Sequence, residues 1–427
     1  MLFKDITIID ENLQPREHRY VGIRNNRIDC VTDTLPEADY GEIYDGRGKL
    51  LLPAFCNTHS HLYMALMRGY GENLPLMTWL QDRIFPFEAH LRPEDFYNGT
   101  LLGVAEMLRY GIGCTSDMNL LVDPTAQALL DSGVRAVVSR CVTCPSDISF
   151  RELPLYKETL EAQKKFNGSG RVRVEFSLHA EYTNSETVTR SIAEAAKEAG
   201  SSMHVHVSET RGEVDECRER HQGRSPVRYL ADCGLFDVPT VAAHCVHIDA
   251  EDIAILKEHG VTVATNPKSN LKLASGICPT AELLEAGVNV ALATDSVASN
   301  NNLNMLEEMR FFNLLQKGSR GDPTLITPAE TLYAATRAGA LAQGRPDGGL
   351  IKEGYTADLT VLNLDTVNMF PVYNIMNNLV YSASGSDVVL TMVDGRVLYK
   401  DGEYTTIDLE RAKAEFEKSR LRILSEL

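Results

Sequence analysis

His59 and His61 stand two residues apart at the end of the apolar run Leu51-Leu-Pro-Ala-Phe-Cys-Asn-Thr-His-Ser-His61. Side chains two apart on a strand point the same way, so the pair offers two imidazoles to one point, as a metal site needs. A His-x-His pair alone says little. It gains weight because later apolar runs also end in ligand-type groups: Asp117, Arg140, His179, His206 with Glu209, His244 with His247, Asn266, and Asp295 with Ser299. Three histidines and one carboxylate suit a divalent ion of the zinc or ferrous kind. His59, His61, His206 and Asp295 are expected to hold it. His204 shares a strand face with His206 and is expected behind it, with the alternative that it takes the place of His206. Such an ion would lower the pKa of bound water from ~15.7 to roughly 7. Glu209, three residues past His206, and His244, on the next run, are placed to handle protons. Hydroxide, a carboxylate and an imidazole together suggest hydrolysis at a C–N or C–O centre.

These residues need elements that bring their strand ends together. Between residues 51 and 354, apolar runs alternate with helical patterns, the signature of βα units around a parallel sheet. The runs are 51–58, 113–117, 136–141, 172–178, 202–207, 240–243, 261–265 and 288–294, with helices such as 185–199 and 249–259 between them. Eight strands suggest a (β/α)8 TIM-like barrel, whose active site lies where the strands end. Residues 1–50 and 355–427 show short alternating strands split by turns such as Asn25-Asn26 and Asp394-Gly395. They are expected to pair into one small β-sandwich domain, with a charged C-terminal helix starting at Asp408.

The chain has 427 residues, enough for a barrel with insertions. Lys+Arg 42 against Asp+Glu 59 gives a net charge of −17, which argues against nucleic acid or an anionic membrane as partner. No apolar stretch approaches a membrane span, and the N-terminus alternates like a strand without a signal-peptide pattern. Nine scattered cysteines suit reduced thiols and a cytoplasmic location. Cys141-x-x-Cys144 has no partner pair that would make it a zinc site.

The motifs Leu52-Pro-Ala-Phe-Cys-Asn-Thr-His-Ser-His61, Leu74-Pro-Leu-Met-Thr-Trp-Leu80, Ile84-Phe-Pro-Phe-Glu88, His206-Val-Ser-Glu209, Ala243-His-Cys-Val-His247, Asn266-Pro-Lys-Ser-Asn-Leu-Lys-Leu273 and Ala293-Thr-Asp-Ser-Val-Ala-Ser-Asn-Asn301 resemble the amidohydrolase superfamily. Within it the sequence is similar to the 5-methylthioadenosine/S-adenosylhomocysteine deaminases over nearly its whole length. The resemblance implies one metal ion per subunit, usually zinc, on the four ligands above. It implies that Glu209 carries a proton to the purine ring, and that His244 and Asp295 orient and deprotonate the attacking water. Substrate contacts would fall on Trp79, Glu88, Arg140, His179, Ser299 and Glu209, with Arg151 a looser match. Glu88 could accept both hydrogen bonds of a ribose diol, which a free base does not offer. The implied substrate is a small adenosine-type nucleoside, and the implied assembly a homo-oligomer. The loop Cys141-Val-Thr-Cys-Pro-Ser-Asp-Ile-Ser149 departs from the family's glycine-rich segment, so substrate preference among adenosine derivatives is open. Two other readings stay open: a sister enzyme acting on a free base, pterin or triazine, and a catalytically silent scaffold relative.

Overall fold

The computed structural model describes all residues from Met1 to Leu427. Eight parallel strands form the barrel in chain order: Phe55–Ser60, Ile112–Asn119, Arg135–Val142, Val172–Leu178, Met203–Val207, Thr240–His244, Thr262–Thr265 and Asn289–Leu292. Each pairs in parallel with the next. First and last strands meet through specific bonds at the mouth. Asp295 N–H donates to His59 O (3.0 Å), and Thr294 N–H donates to the Asn57 side chain (2.9 Å). The strands are buried on both faces, as expected where helices cover a parallel sheet. The largest core lies between strands and helices and includes Phe166, Val174, Phe176 and Ile192.

The helices start at residues that can cap them. Ser185 accepts the Val188 N–H at the start of Glu186–Glu198, and Asp249 accepts the N–H groups of Glu251 and Asp252 at the start of Ala250–Glu258. Both helices match the sequence pattern to within a residue of the expected span.

Nine strands from the two ends of the chain form one continuous mixed sheet. It folds back on itself, because the turn at Asn25–Asn26 meets the turn at Asp394–Gly395, where Asn26 donates to Asp394 Oδ1 (3.1 Å). Phe3, Ile6, Val21, Leu359 and Met392 share its core. Asp394 and Gly395 both have positive φ, 54° and 73°, the conformation a two-residue hairpin turn requires.

The structure corrects two boundaries. The run from Leu51 is not one strand. Lys49–Pro53 pairs with Leu359–Asn363 in the terminal sheet, and the barrel strand begins at Phe55. Ala54 is the crossing point, where its N–H donates to Asp358 O (2.9 Å). An unbroken apolar run conceals this because both sheets bury it. The C-terminal helix Leu409–Glu426 leaves the small domain and packs on the barrel helix Pro93–Arg109. Ile423 enters an apolar cluster with Tyr63 and Trp79, and Arg422 pairs with Asp95. No helix is long and apolar enough to cross a membrane.

Candidate active site

The barrel mouth opens into a cavity of about 570 Å³. His61 reaches it from the end of the first strand, with His59 fully buried two residues before it, His206 from the fifth, His244 from the sixth and Asp295 from just past the eighth. His206 Nε2 lies 3.3 Å from His61 Nε2. Asp295 Oδ1 lies 3.5 Å from both His59 Nε2 and His61 Nε2. Four donors spaced this way around one point match ligands held at about 2.0–2.2 Å from a shared ion.

The outer nitrogens show which ring atoms face that point. His61 Nδ1–H donates to Met118 O (2.8 Å), and His206 Nδ1–H donates to His179 O (2.7 Å). Each Nε2 is therefore left with its lone pair directed inward, the arrangement that backs metal-binding imidazoles. His59 Nδ1 bonds His204 Nε2 (2.9 Å), and His204 Nδ1 faces Glu175 Oε1 at 3.5 Å. His204 thus stands behind His59 rather than in the place of His206. His59 Nε2 is buried with no hydrogen-bond partner. An orphaned imidazole nitrogen costs free energy unless something binds it, so the residues fit a cation. Burial pushes both His59 and His206 well below the ordinary imidazole pKa, keeping them neutral and able to ligate.

Asp295 is fixed by two hydroxyls: Oδ2 accepts from Ser269 (2.6 Å) and Ser299 (2.9 Å), which turns Oδ1 toward the imidazoles. Burial acts to raise its pKa, but the close approach of His59 and the charge of His244 outweigh this and hold it well below the carboxylate range. His244 Nδ1–H donates to Asn270 Oδ1 (2.9 Å), which aims Nε2 at Glu209 Oε2, 3.7 Å away. Glu209 also accepts from Ser275 Oγ (3.3 Å). Burial raises its pKa, favouring a carboxyl that holds a proton. Its backbone is set by Glu213, which accepts the N–H groups of Ser208 (2.9 Å) and Glu209 (2.7 Å). Ser208, His244 and Asp295 have φ of 51°, 74° and 60°. Backbone of this kind costs about 1–3 kcal/mol per residue and persists where surrounding structure enforces it.

Glu88 stands half-buried on the cavity wall, and Tyr63 Oη–H donates to its Oε1 (2.5 Å). Burial pushes its pKa up to about 7 despite that bond. Tyr63 is positioned by the turn Leu62–Met67, against which Gly99 packs. A Cβ at Gly99 would come within 2.6 Å of Tyr63 O. Trp79 lines the cavity with its Nε1–H bonded to Gly71 O (3.1 Å). His179 and Ser299 line it too, and burial lowers His179 to about 4.

Two expected contacts lie elsewhere. Arg140 does not face the cavity. Strand alternation gives that face to Cys141 and turns Arg140 to the helix side, where it sits 3.6 Å from Glu158 and donates to Cys141 O (2.9 Å). Arg151 pairs with Glu198 (2.7 Å) and Tyr156 (3.2 Å) on the barrel's outer layer. Tyr63, Glu213, Ser269 and Asn270 were not singled out from the sequence. Only Glu213 carries a local signal, in Thr210-x-x-Glu213, a helix-capping box.

The amidohydrolase family profile matches residues 50–398. The chain belongs to the amidohydrolase family. This amidohydrolase is 39% identical over 429 residues to the 5-methylthioadenosine/S-adenosylhomocysteine deaminase of Carboxydothermus hydrogenoformans, covering 100% of this chain and 98% of that protein. It is 42% identical over 388 residues to the 5'-deoxyadenosine deaminase of Methanothermobacter thermautotrophicus, covering 90% of each. Among solved structures it resembles an adenosine deaminase from Xanthomonas campestris with bound zinc, with a TM-score of 0.93, 31% identity and coverage of 99% of this chain and 98% of that one.

Proposed function

We propose that this amidohydrolase is a zinc-dependent hydrolytic deaminase that converts adenosine-type nucleosides to inosine analogues and ammonia. The observation that carries the reading is one cavity lined by a ligand cluster, a buried Glu209 beside His244, and Glu88. His59, His61, His206 and Asp295 would hold the ion. Iron would suit the same donors; zinc is preferred because the Xanthomonas relative carries it. When bound, such an ion supplies a nucleophile near neutral pH by lowering the pKa of water.

The chain's own residues do the rest. Glu88 accepts hydrogen bonds from the ribose diol, and Trp79, His179 and Ser299 line the nucleoside's surroundings. Glu209 gives its proton to purine N1, which makes C6 more electrophilic. Asp295 takes a proton from the attacking water and passes it to the leaving amine. His244, held by Asn270, stabilises the adding oxygen through Nε2. Water adds at C6, ammonia leaves, and the remaining hydroxyl proton passes to the Glu209 carboxylate as the C6 carbonyl forms, which restores Glu209 and balances the atoms. A cytoplasmic homo-oligomer belongs to the same reading, and nine unpaired cysteines suit a reducing compartment.

The test is ammonia release from 5'-methylthioadenosine, 5'-deoxyadenosine and adenosine compared with free adenine and guanine. Turnover of nucleosides is expected. Turnover of a free base with none on nucleosides would overturn the proposal in favour of a sister activity.

A further inference from the structure

The cavity contains carboxylates but no arginine or lysine. Glu88, Glu209 and Asp295 line it, along with imidazoles, hydroxyls and apolar side chains. Arg83, within the segment that forms one wall, is exposed and does not line the cavity. Arg140 and Arg151 face outward to Glu158 and Glu198, and Lys272 is held by Glu72 (3.0 Å) and Ala298 O (3.2 Å). The wall leading up to Glu88 is the segment Leu76–Glu88, which presents Leu76, Leu80, Ile84 and Phe85 to the cavity. Ile84 lies about one turn before Glu88. A nucleoside with its ribose at Glu88 has this apolar surface beside it.

Resting on the deaminase reading above, we propose that the cavity-facing side chains Leu76, Leu80, Ile84 and Phe85 form an uncharged 5' subsite, so the enzyme selects adenosine derivatives with a neutral thioether or methyl group at C5'. The zwitterionic homocysteine tail of S-adenosylhomocysteine is disfavoured there. A methylthio group gains by leaving water. An α-carboxylate brought to the same surface loses hydration and meets no cation, in a cavity that already holds carboxylates. Leu76, Leu80, Ile84 and Phe85 are the specificity-determining residues.

The test compares kcat/KM of the zinc-loaded enzyme for 5'-methylthioadenosine, 5'-(n-butylthio)adenosine and S-adenosylhomocysteine. The butylthio compound matches the length of the homocysteine chain without its charges. Both neutral thioethers should exceed S-adenosylhomocysteine by about 100-fold, the order set by an uncompensated charge at a binding surface. In Arg140→Met the ratio of butylthio compound to S-adenosylhomocysteine should stay within a few-fold of the unsubstituted enzyme. Equal use of S-adenosylhomocysteine overturns the inference and leaves the deaminase reading standing. So does a butylthio compound as poor as S-adenosylhomocysteine, since length would then be the limit. A selective loss of S-adenosylhomocysteine turnover in Arg140→Met also overturns it, because that arginine would then reach the substrate. If no nucleoside loses ammonia, the deaminase reading fails and this inference fails with it.

Discussion

The two ends of the barrel both bury charge, and they treat it in opposite ways. At the floor, where the terminal sheet abuts the strand starts, every named carboxylate faces a guanidinium. Asp358 meets Arg135 (2.5 Å) and Arg345 (3.6 Å), and Asp394 meets Arg135 (2.6 Å) and Arg171 (3.9 Å). At the mouth, Glu88, Glu209 and Asp295 have no arginine or lysine partner and face imidazoles, hydroxyls and open cavity. The floor charges lock two domains together. The mouth charges are held ready for something that comes from outside. Burial of a charged residue therefore says little about function here; what sets the mouth carboxylates apart is that they face the cavity.

Four measurements test that contrast. The largest effect is expected at the mouth. Glu209→Gln should lower kcat by about 10²–10⁴, while metal analysis finds the ion retained and the melting temperature is no lower. A variant with near-normal turnover would remove Glu209 from its role. At the floor, Arg135→Met strips Asp358 and Asp394 of their shared partner. It should cost at most about 3–5 kcal/mol of stability, less what Arg345 and Arg171 still offset, read in denaturant unfolding, with kcat/KM of the folded enzyme unchanged. If the two variants changed the same observable, the division between the ends would not hold.

Between these lies His204, buried behind His59. His204→Leu should weaken metal affinity by about 10–100-fold, measured by competition with a chelator, without abolishing activity at saturating metal. The smallest effect is a pH difference. Glu88, raised by burial to about 7, must be ionised to accept two hydrogen bonds from a diol. Below about 7 it takes up a proton and loses that capacity, so kcat/KM should fall by about tenfold per pH unit on the acid side. A 2',3'-dideoxy substrate, which never uses those bonds, should lack this limb. Parallel profiles for the two substrates would detach Glu88 from the ribose.

Much of the mouth was legible in the sequence because strand ends are marked by where apolar runs stop. His59, His61, His206, His244 and Asp295 each end such a run or follow it closely, and the barrel geometry does the rest. Arg140 misled for a related reason. A barrel strand is apolar on both faces, so nothing in Ala136–Val142 says which face a single polar residue takes. The boundary at Ala54 was hidden in the same way, since one apolar run served two sheets. Tyr63 and Asn270 could not be read at all. Their importance lies in contacts with Glu88 and His244, 25 and 26 residues away.

By itself the sequence determined the barrel, the ligand-type residues at its strand ends, and the capped helices that space them. These follow from periodicity and local chemistry, which act over a few residues. Tertiary structure alone decided which imidazole nitrogens face one another, that His204 supports His59, and that two arginines look away from the cavity. Those outcomes depend on strand face, register and closure between the first and last strands, and each is settled by packing across distances that no local pattern encodes.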